Sequence, residues 1–253
     1  MELDGGVFLV QWAAGGLAFA WITTRRREVS IGYGWLVRIV YGGLAIGGLA
    51  VLLARDLDDT AHRLAALATA ALVVATGSAL VASIRHRTVA SFEPRWDLAA
   101  PICGAVALIA AAHFVGESLA LAAFRLLVGA AFLGCISDSM LLGHWYLVQP
   151  GLRRDALSEL VRWNLWLWPV ELLALLWPTG MVSVINGSID DGYNGLLGWV
   201  WIACAVTTLG LVVVTRVALR ERYYSAVMSA TGLLYLAILT AFGTDLIGRA
   251  TLS

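Results

Sequence analysis

Apolar positions in this chain fall in long unbroken runs divided by short polar segments, with neither helical stripes nor strict alternation. Lipid cannot hydrogen-bond to backbone N–H and C=O groups, so runs of this kind cross a membrane as helices. About twenty residues, each rising 1.5 Å, cover a hydrocarbon core of roughly 30 Å. A membrane β-barrel would need alternating segments of about ten residues, and the sequence contains none. The runs predict spans at 5–24, 31–53, 62–84, 98–116, 121–147, 163–185, 196–215 and 224–243. The expected fold is an all-α integral membrane protein, with residues 1–253 forming a single bundle of about eight transmembrane helices joined by short loops. The fifth span is the longest and should tilt or project beyond the headgroups. Pro169 and Pro178 predict a kink in the sixth.

The polar segments between the runs are not equivalent. Those at 25–30, 85–97, 149–162 and 216–222 hold twelve arginines: Arg25, Arg26, Arg27, Arg85, Arg87, Arg95, Arg153, Arg154, Arg162, Arg216, Arg220 and Arg222. The other side holds only Arg55, Arg63, Arg125 and Arg249, together with nine acids that include Asp56, Asp58, Asp59, Asp190 and Asp191. By the positive-inside rule, the arginine-rich side faces the cytoplasm and both termini lie on the non-cytoplasmic side. Trp21, Trp35, Trp96, Trp145, Trp163 and Trp166 lie near the arginine-rich side, as an aromatic belt would. Within the loop at 149–162, the segment 155–162 has apolar residues at 156, 157, 160 and 161 and is expected to lie on the inner surface as a short amphipathic helix. Met1-Glu2-Leu3-Asp4 has no basic stretch and no small-residue cleavage site, so the first run is expected to stay as a helix.

Composition agrees: the chain is 60% hydrophobic and 13% charged, with a mean hydropathy of +0.82. A soluble domain carries roughly 25% charged residues. All seventeen basic residues are arginine. Without lysine there is no retinal Schiff base and no phosphate-binding P-loop. Cys103, Cys135 and Cys204 all fall inside apolar runs and are expected to act as small core residues. HExxH, CxxC and GxSxG are absent, and the formal net charge of +0 gives no basic face for nucleic acid.

Three charged residues lie well inside predicted spans: Arg38, Asp138 and Glu171. Such groups are costly in lipid and generally face the bundle interior. Counting from the predicted inner ends, Arg38 is roughly 10 Å deep and the two acids roughly 12–15 Å. All three are thus expected in the cytoplasmic half, where Arg38 would pair with Asp138 or Glu171. The carboxyl left over should hold a proton or line a hydrated cavity, and either condition suits a proton relay or a polar-ligand site. His144, Trp145 and Tyr146 follow Asp138 toward the same side and suit a quinone headgroup, which needs a proton donor and a flat apolar slot.

The histidines fall into two pairs that could supply haem ligands, His62 with His113 and His86 with His144, but His62 and His86 sit at helix ends beside arginines, so haem is not expected. His113 and Glu117, four apart, lack a third ligand, and no metal is expected there. A hydrogen-bonded pair joined by Arg125 fits better. Arg38-x3-Gly42-x4-Gly47 and Arg125-x3-Gly129-x4-Gly134 match across antiparallel spans, as an inverted repeat would require. The simpler explanation is that these glycines allow close helix packing.

Loops this short leave any chemistry to the bundle or to a docked partner. The span number is broadly similar to that of quinone-reactive membrane subunits of bacterial redox complexes, although no motif assigns a family. The expected function is that of a multi-pass membrane subunit, in a prokaryotic-type cytoplasmic membrane, of a larger redox-linked complex. Asp138, Glu171 and Arg38 would handle protons, and His144, Trp145 and Tyr146 would face a quinone. Other membrane or peripheral subunits would be its partners. The alternatives are a small secondary transporter or channel using the same charges, and a structural or assembly subunit without chemistry. Whether the chain is part of an enzyme is left open.

Overall fold

Asp4 opens the first helix by accepting hydrogen bonds from the backbone N–H groups of Gly6 (2.7 Å) and Val7 (3.1 Å), two of the donors that a helix start leaves without partners. The computed structural model describes residues 4–55, 58–86, 88, 92–115, 118–221 and 223–252. Among them the regular structure is entirely helical: α1 (Gly5–Thr24), α2 (Ile31–Leu53), α3 (Thr60–His86), α4 (Trp96–Val115), α5 (Leu119–Val148), α6 (Asp155–Leu176), α7 (Gly180–Ile185), α8 (Leu196–Ala218) and α9 (Tyr224–Thr251).

Seven of these helices, α1 to α5, α8 and α9, are long and apolar enough to cross a membrane. Outward-facing Leu67, Val74 and Leu239 are 67%, 71% and 69% exposed, a surface that only lipid or a partner would cover. The protein is a multi-pass helical membrane bundle.

The sixth predicted span departs from expectation. Residues 155–162 form the first turns of α6, not a separate surface helix. Ala156, Leu157, Leu160 and Val161 are buried in the main core. Glu159 binds Arg25 at 2.9 Å and Arg26 at 3.0 Å, which ties α6 to the end of α1. Pro169 is accommodated within α6, and the helix instead ends before Pro178. Proline lacks an N–H and pushes the residue before it out of the helical region, and Trp177 is extended (φ −86°, ψ 142°). The short α7 follows. With Asp155, Glu159, Arg162 and Glu171 along its 22 residues, α6 is not among the seven apolar helices. At the other end of the chain, α9 runs to Thr251, beyond the predicted stop at 243.

Two helices form the centre. The most apolar stretches of α1 and α5 are 61% and 56% buried, against 28–44% for the other five apolar helices. They cross with their backbones in contact. A Cβ added at Gly15 would lie 1.7 Å from the carbonyl oxygen of Ala130, and one at Gly134 would lie 2.0 Å from the carbonyl carbon of Gly15. Only glycine permits that approach, and in lipid such close packing is a main source of helix association. Gly134→Ala is expected to force α1 and α5 apart and to lower stability by roughly 1–3 kcal/mol or more, measured by thermal unfolding in detergent. Gly210→Ala, on α8 with open space beside it, should change little.

Asp191 organises the connection into α8. Its carboxylate accepts backbone N–H bonds from Gly195 (2.8 Å), Tyr193 (2.9 Å) and Leu197 (2.9 Å). These donors, that of Gly195 foremost, hold the carboxyl below the usual aspartate value. The ordering it provides is therefore complete above about pH 4 and is lost as pH falls through the lowered value. Amide hydrogen exchange at 193–197 should be slow at neutral pH and fast in acid, and Asp191→Ala should be fast at both.

Candidate functional site

Arg38 is buried on the face of α2 that also carries Tyr33, Val37 and Tyr41. It meets neither Asp138 nor Glu171. Its Nε and Nη2 donate to the two carboxylate oxygens of Asp97 at 2.8 and 2.7 Å, a bidentate pair. Asp97 is in the first turn of α4, where a negative charge also suits the helix dipole. By sequence it falls at the end of a loop, and the packing of α4 beside α1 brings it inside. Thr24 Oγ1 lies 3.3 Å from Asp97 and 2.9 Å from the Ala20 carbonyl, and the Phe92 ring lies 4.7 Å from the guanidinium.

Asp138, on α5, is completely buried. Tyr41 donates its hydroxyl proton to Oδ1 at 3.0 Å, and Thr23 Oγ1 lies 3.2 Å from Oδ2. The Tyr33 hydroxyl reaches the backbone carbonyl of the same residue at 3.4 Å. Among the described residues no cation pairs with this carboxyl. Thr23 has one proton, and its shorter contact is the Phe19 carbonyl at 2.7 Å. With the hydroxyl proton directed there, its oxygen is free to accept from a protonated Asp138. The site can therefore serve the carboxyl in both protonation states without moving a side chain. On either side of Asp138, Trp12 Nε1 donates to Ser137 Oγ at 2.7 Å and Asn164 Nδ2 donates to Ser139 Oγ at 2.8 Å. These bonds tie α1 and α6 to α5.

Glu171 lies in the other half of the bundle, not beside Arg38 and Asp138. Its predicted depth assumed a span beginning at 163. Because α6 begins at Asp155, Glu171 is in the last two turns of that helix. Around it are Asp245, Arg249 and Arg125. Arg249 Nε donates to Asp245 Oδ1 at 2.8 Å, and Gln11 Nε2 lies 3.4 Å from both oxygens of that carboxylate. Arg249 Nη2 reaches the backbone carbonyl of Arg125 at 2.9 Å. Arg125 itself donates to the carbonyls of Ala174 (2.9 Å) and Trp177 (2.7 Å), satisfying acceptors that the end of α6 leaves open. Neither carboxylate oxygen of Glu171 has a hydrogen-bond partner among the described residues. Gly129 makes room for the cluster, since a Cβ there would lie 2.3 Å from Arg249 Nη2.

Asp245 and Arg249 lie beyond the predicted end of the last span at 243, within the part of α9 that continues to Thr251. The signal for them was an acid and an arginine four apart, which meet on one face of a helix that continues. Along α1, Gln11 and Thr23 are separated by about 18 Å, which measures the distance between the Asp245–Arg249 cluster and the Asp138 site. The matching arginine–glycine patterns have unlike surroundings: Arg38 binds a carboxylate, whereas Arg125 binds carbonyls.

The three residues expected at a quinone diverge. His144 is exposed, with Nδ1 3.1 Å from the Tyr235 hydroxyl of α9. Trp145 Nε1 donates to Ser30 Oγ at 3.0 Å. The Tyr146 hydroxyl donates to the Arg153 carbonyl. They line no common slot with one another or with Asp138, because consecutive residues point about 100° apart around the helix. His62 stacks on Phe114, with ring centroids 3.8 Å apart. Glu117, Asp56, Arg87 and Arg222 lie outside the described residues, and with Glu117 lies the expected pairing to His113.

Removing one partner of the Arg38–Asp97 pair would leave a buried charge alone, so Asp97→Leu or Arg38→Met is expected to cost about 3–5 kcal/mol. The double variant Arg38→Met/Asp97→Leu should recover most of that loss. Chemical unfolding of the four proteins in detergent checks the cycle.

No protein-family model matches the chain, and neither a curated protein nor a solved structure matches it.

Proposed function

We propose that this chain is a membrane subunit that binds and passes protons inside its own bundle, with Asp138 as the group that carries them. The observation behind this is the setting of Asp138: no access to solvent, no cationic partner among the described residues, and two hydroxyl groups on its oxygens. A carboxyl kept only for structure would be expected to have a counter-charge, as Asp97 and Asp245 do. Other polar groups lie along α1 on either side of it: Trp12 with Ser137 and Gln11 with Asp245 toward Glu171, and Thr24 beside the Arg38–Asp97 ion pair.

In this reading α6 with α7 completes an eighth crossing. The arginine-rich loops face the cytoplasm of a prokaryotic-type inner membrane, and both termini lie outside. The short loops favour work alongside other subunits, of which a redox-linked complex is one setting. The divergence of His144, Trp145 and Tyr146 removes the geometric reason for a quinone, so no quinone role is included. A second reading, an ion-coupled secondary transporter, is favoured by one observation: acids are buried in both halves of the bundle, Asp138 in one and Glu171 with Asp245 in the other.

The infrared carbonyl stretch of a protonated buried carboxyl tests the assignment directly. Titration of the protein in lipid should show one such band that changes with pH and disappears in Asp138→Asn. Tyr41→Phe should shift it. Bands identical in the wild type and Asp138→Asn at every pH would sink the proposal. Proton flux into liposomes carrying this chain alone separates the two readings, because only the transporter should work without partners.

A further inference from the structure

A second polar feature owes nothing to Asp138. At the end of the bundle where α1 finishes and α6 begins, a cavity of about 420 Å³ opens between three stretches of chain that are far apart in sequence. Arg26 comes from the connection after α1, Arg153 and Arg162 from the start of α6 and the loop before it, and Arg216 and Arg220 from the end of α8. Five arginines line it, with Glu28 and Asp155 as the acids in the lining among the described residues. Arg153 is matched by Asp155 at 2.8 Å, and Arg26 is held by Glu159 at 3.0 Å. Among the described residues, Arg162, Arg216 and Arg220 have no ion pair and no side-chain hydrogen bond.

Ordinary positive-inside arginines would be spread singly along the headgroup layer. Here five line one concavity, and the acids beside them leave an excess of positive charge that a bound anion would offset. The planar forks of arginine match phosphate oxygens two at a time. The Ser158 hydroxyl adds a further donor, and buried Val161 and Leu219 give the cavity an apolar floor. Its volume falls in the range of sites for small ligands, roughly 300–1,000 Å³. Arg162 also lines a neighbouring groove of about 250 Å³, formed with Glu159, Trp163 and Trp166. Trp163 is 40% exposed and Trp166 73% exposed on the lipid-facing side. A molecule with a phosphate in the arginine cavity could therefore lay an apolar part along these two indole rings.

The geometry points to a binding site for a phosphate-bearing anion, formed by Arg162, Arg216 and Arg220 and completed by Arg26 and Arg153. Two sources share that chemistry: the headgroup of an anionic phospholipid, and a free phosphate compound. The full chain is placed in nanodiscs of phosphatidylcholine, with or without phosphatidylglycerol, and bound lipid is counted by native mass spectrometry. In a separate arm, inorganic pyrophosphate is titrated onto the phosphatidylcholine sample and thermal unfolding is followed.

Retention of phosphatidylglycerol by the wild type, weakened roughly tenfold for each of Arg216→Gln and Arg220→Gln, supports the site with lipid as its source. Stabilisation by pyrophosphate, lost in the same variants, supports it with a free phosphate compound as its source. Arg85→Gln/Arg95→Gln removes two arginines of the same side that do not line the cavity and should leave both signals unchanged. Equal loss in that control would mean general surface charge and would overturn the proposal. So would the absence of any effect of either ligand on the wild type.

Discussion

The contact of the α1 and α5 backbones at Gly15 and Gly134 is the constraint on which the interior depends. Between helices in lipid there is little hydrophobic drive, so close packing and polar contacts must supply the association. Where these two helices touch, polar residues of α1 are pressed against α5 and its neighbour α9: Gln11 against Gly129 and Asp245, Trp12 against Ser137, and Thr23 against Asp138. A larger residue at the crossing would separate every one of these pairs. The same crossing leaves space at Gly129, into which Arg249 and Asp245 of α9 reach.

Around this centre the buried charges are treated in three ways. Arg38 and Asp97 form a bidentate pair that joins α2 to the start of α4. Asp245 is paired with Arg249 on its own helix, while Glu171 sits beside them with both oxygens unbonded among the described residues. Asp138 is surrounded by hydroxyl groups alone. A complete ion pair in a dry interior is stable but chemically quiet, since taking a proton on or off would strand its partner. A carboxyl with neutral partners strands nothing. That contrast within a single bundle is what supports the proposal of proton handling for Asp138 rather than for the Arg38–Asp97 pair.

The arginines outside the core divide in a similar way. Arg25 and Arg26 hold Glu159, and so fix the start of α6 against the end of α1. Arg162, Arg216 and Arg220 have no such partner among the described residues and face a shared cavity. One group uses charge to close the fold, and the other leaves charge available to a ligand.

Much of the fold was legible in local composition. The bounds of α1 and α2 coincide with the predicted 5–24 and 31–53, because entry into lipid is decided by the run of residues itself. The ends of α6 and α9 were not legible. Charged residues that look like loop stay helical when the fold pairs them: Glu159 of α6 with Arg25 at the end of α1, and Asp245 with Arg249 one turn on along α9. Of the candidate site, the burial of Arg38, Asp138 and Glu171 could be read from their depth in apolar runs, but their grouping could not. Which residues meet depends on the rotation of each helix and on the choice of neighbour. Arg38 thus faces Asp97, and His144 turns away from Asp138 toward α9. The sequence by itself determined which segments are apolar enough for the membrane, since that is a sum over local side chains. The tertiary structure alone decided the company each buried charge keeps, since that depends on contacts between segments as far apart as Gln11 and Asp245.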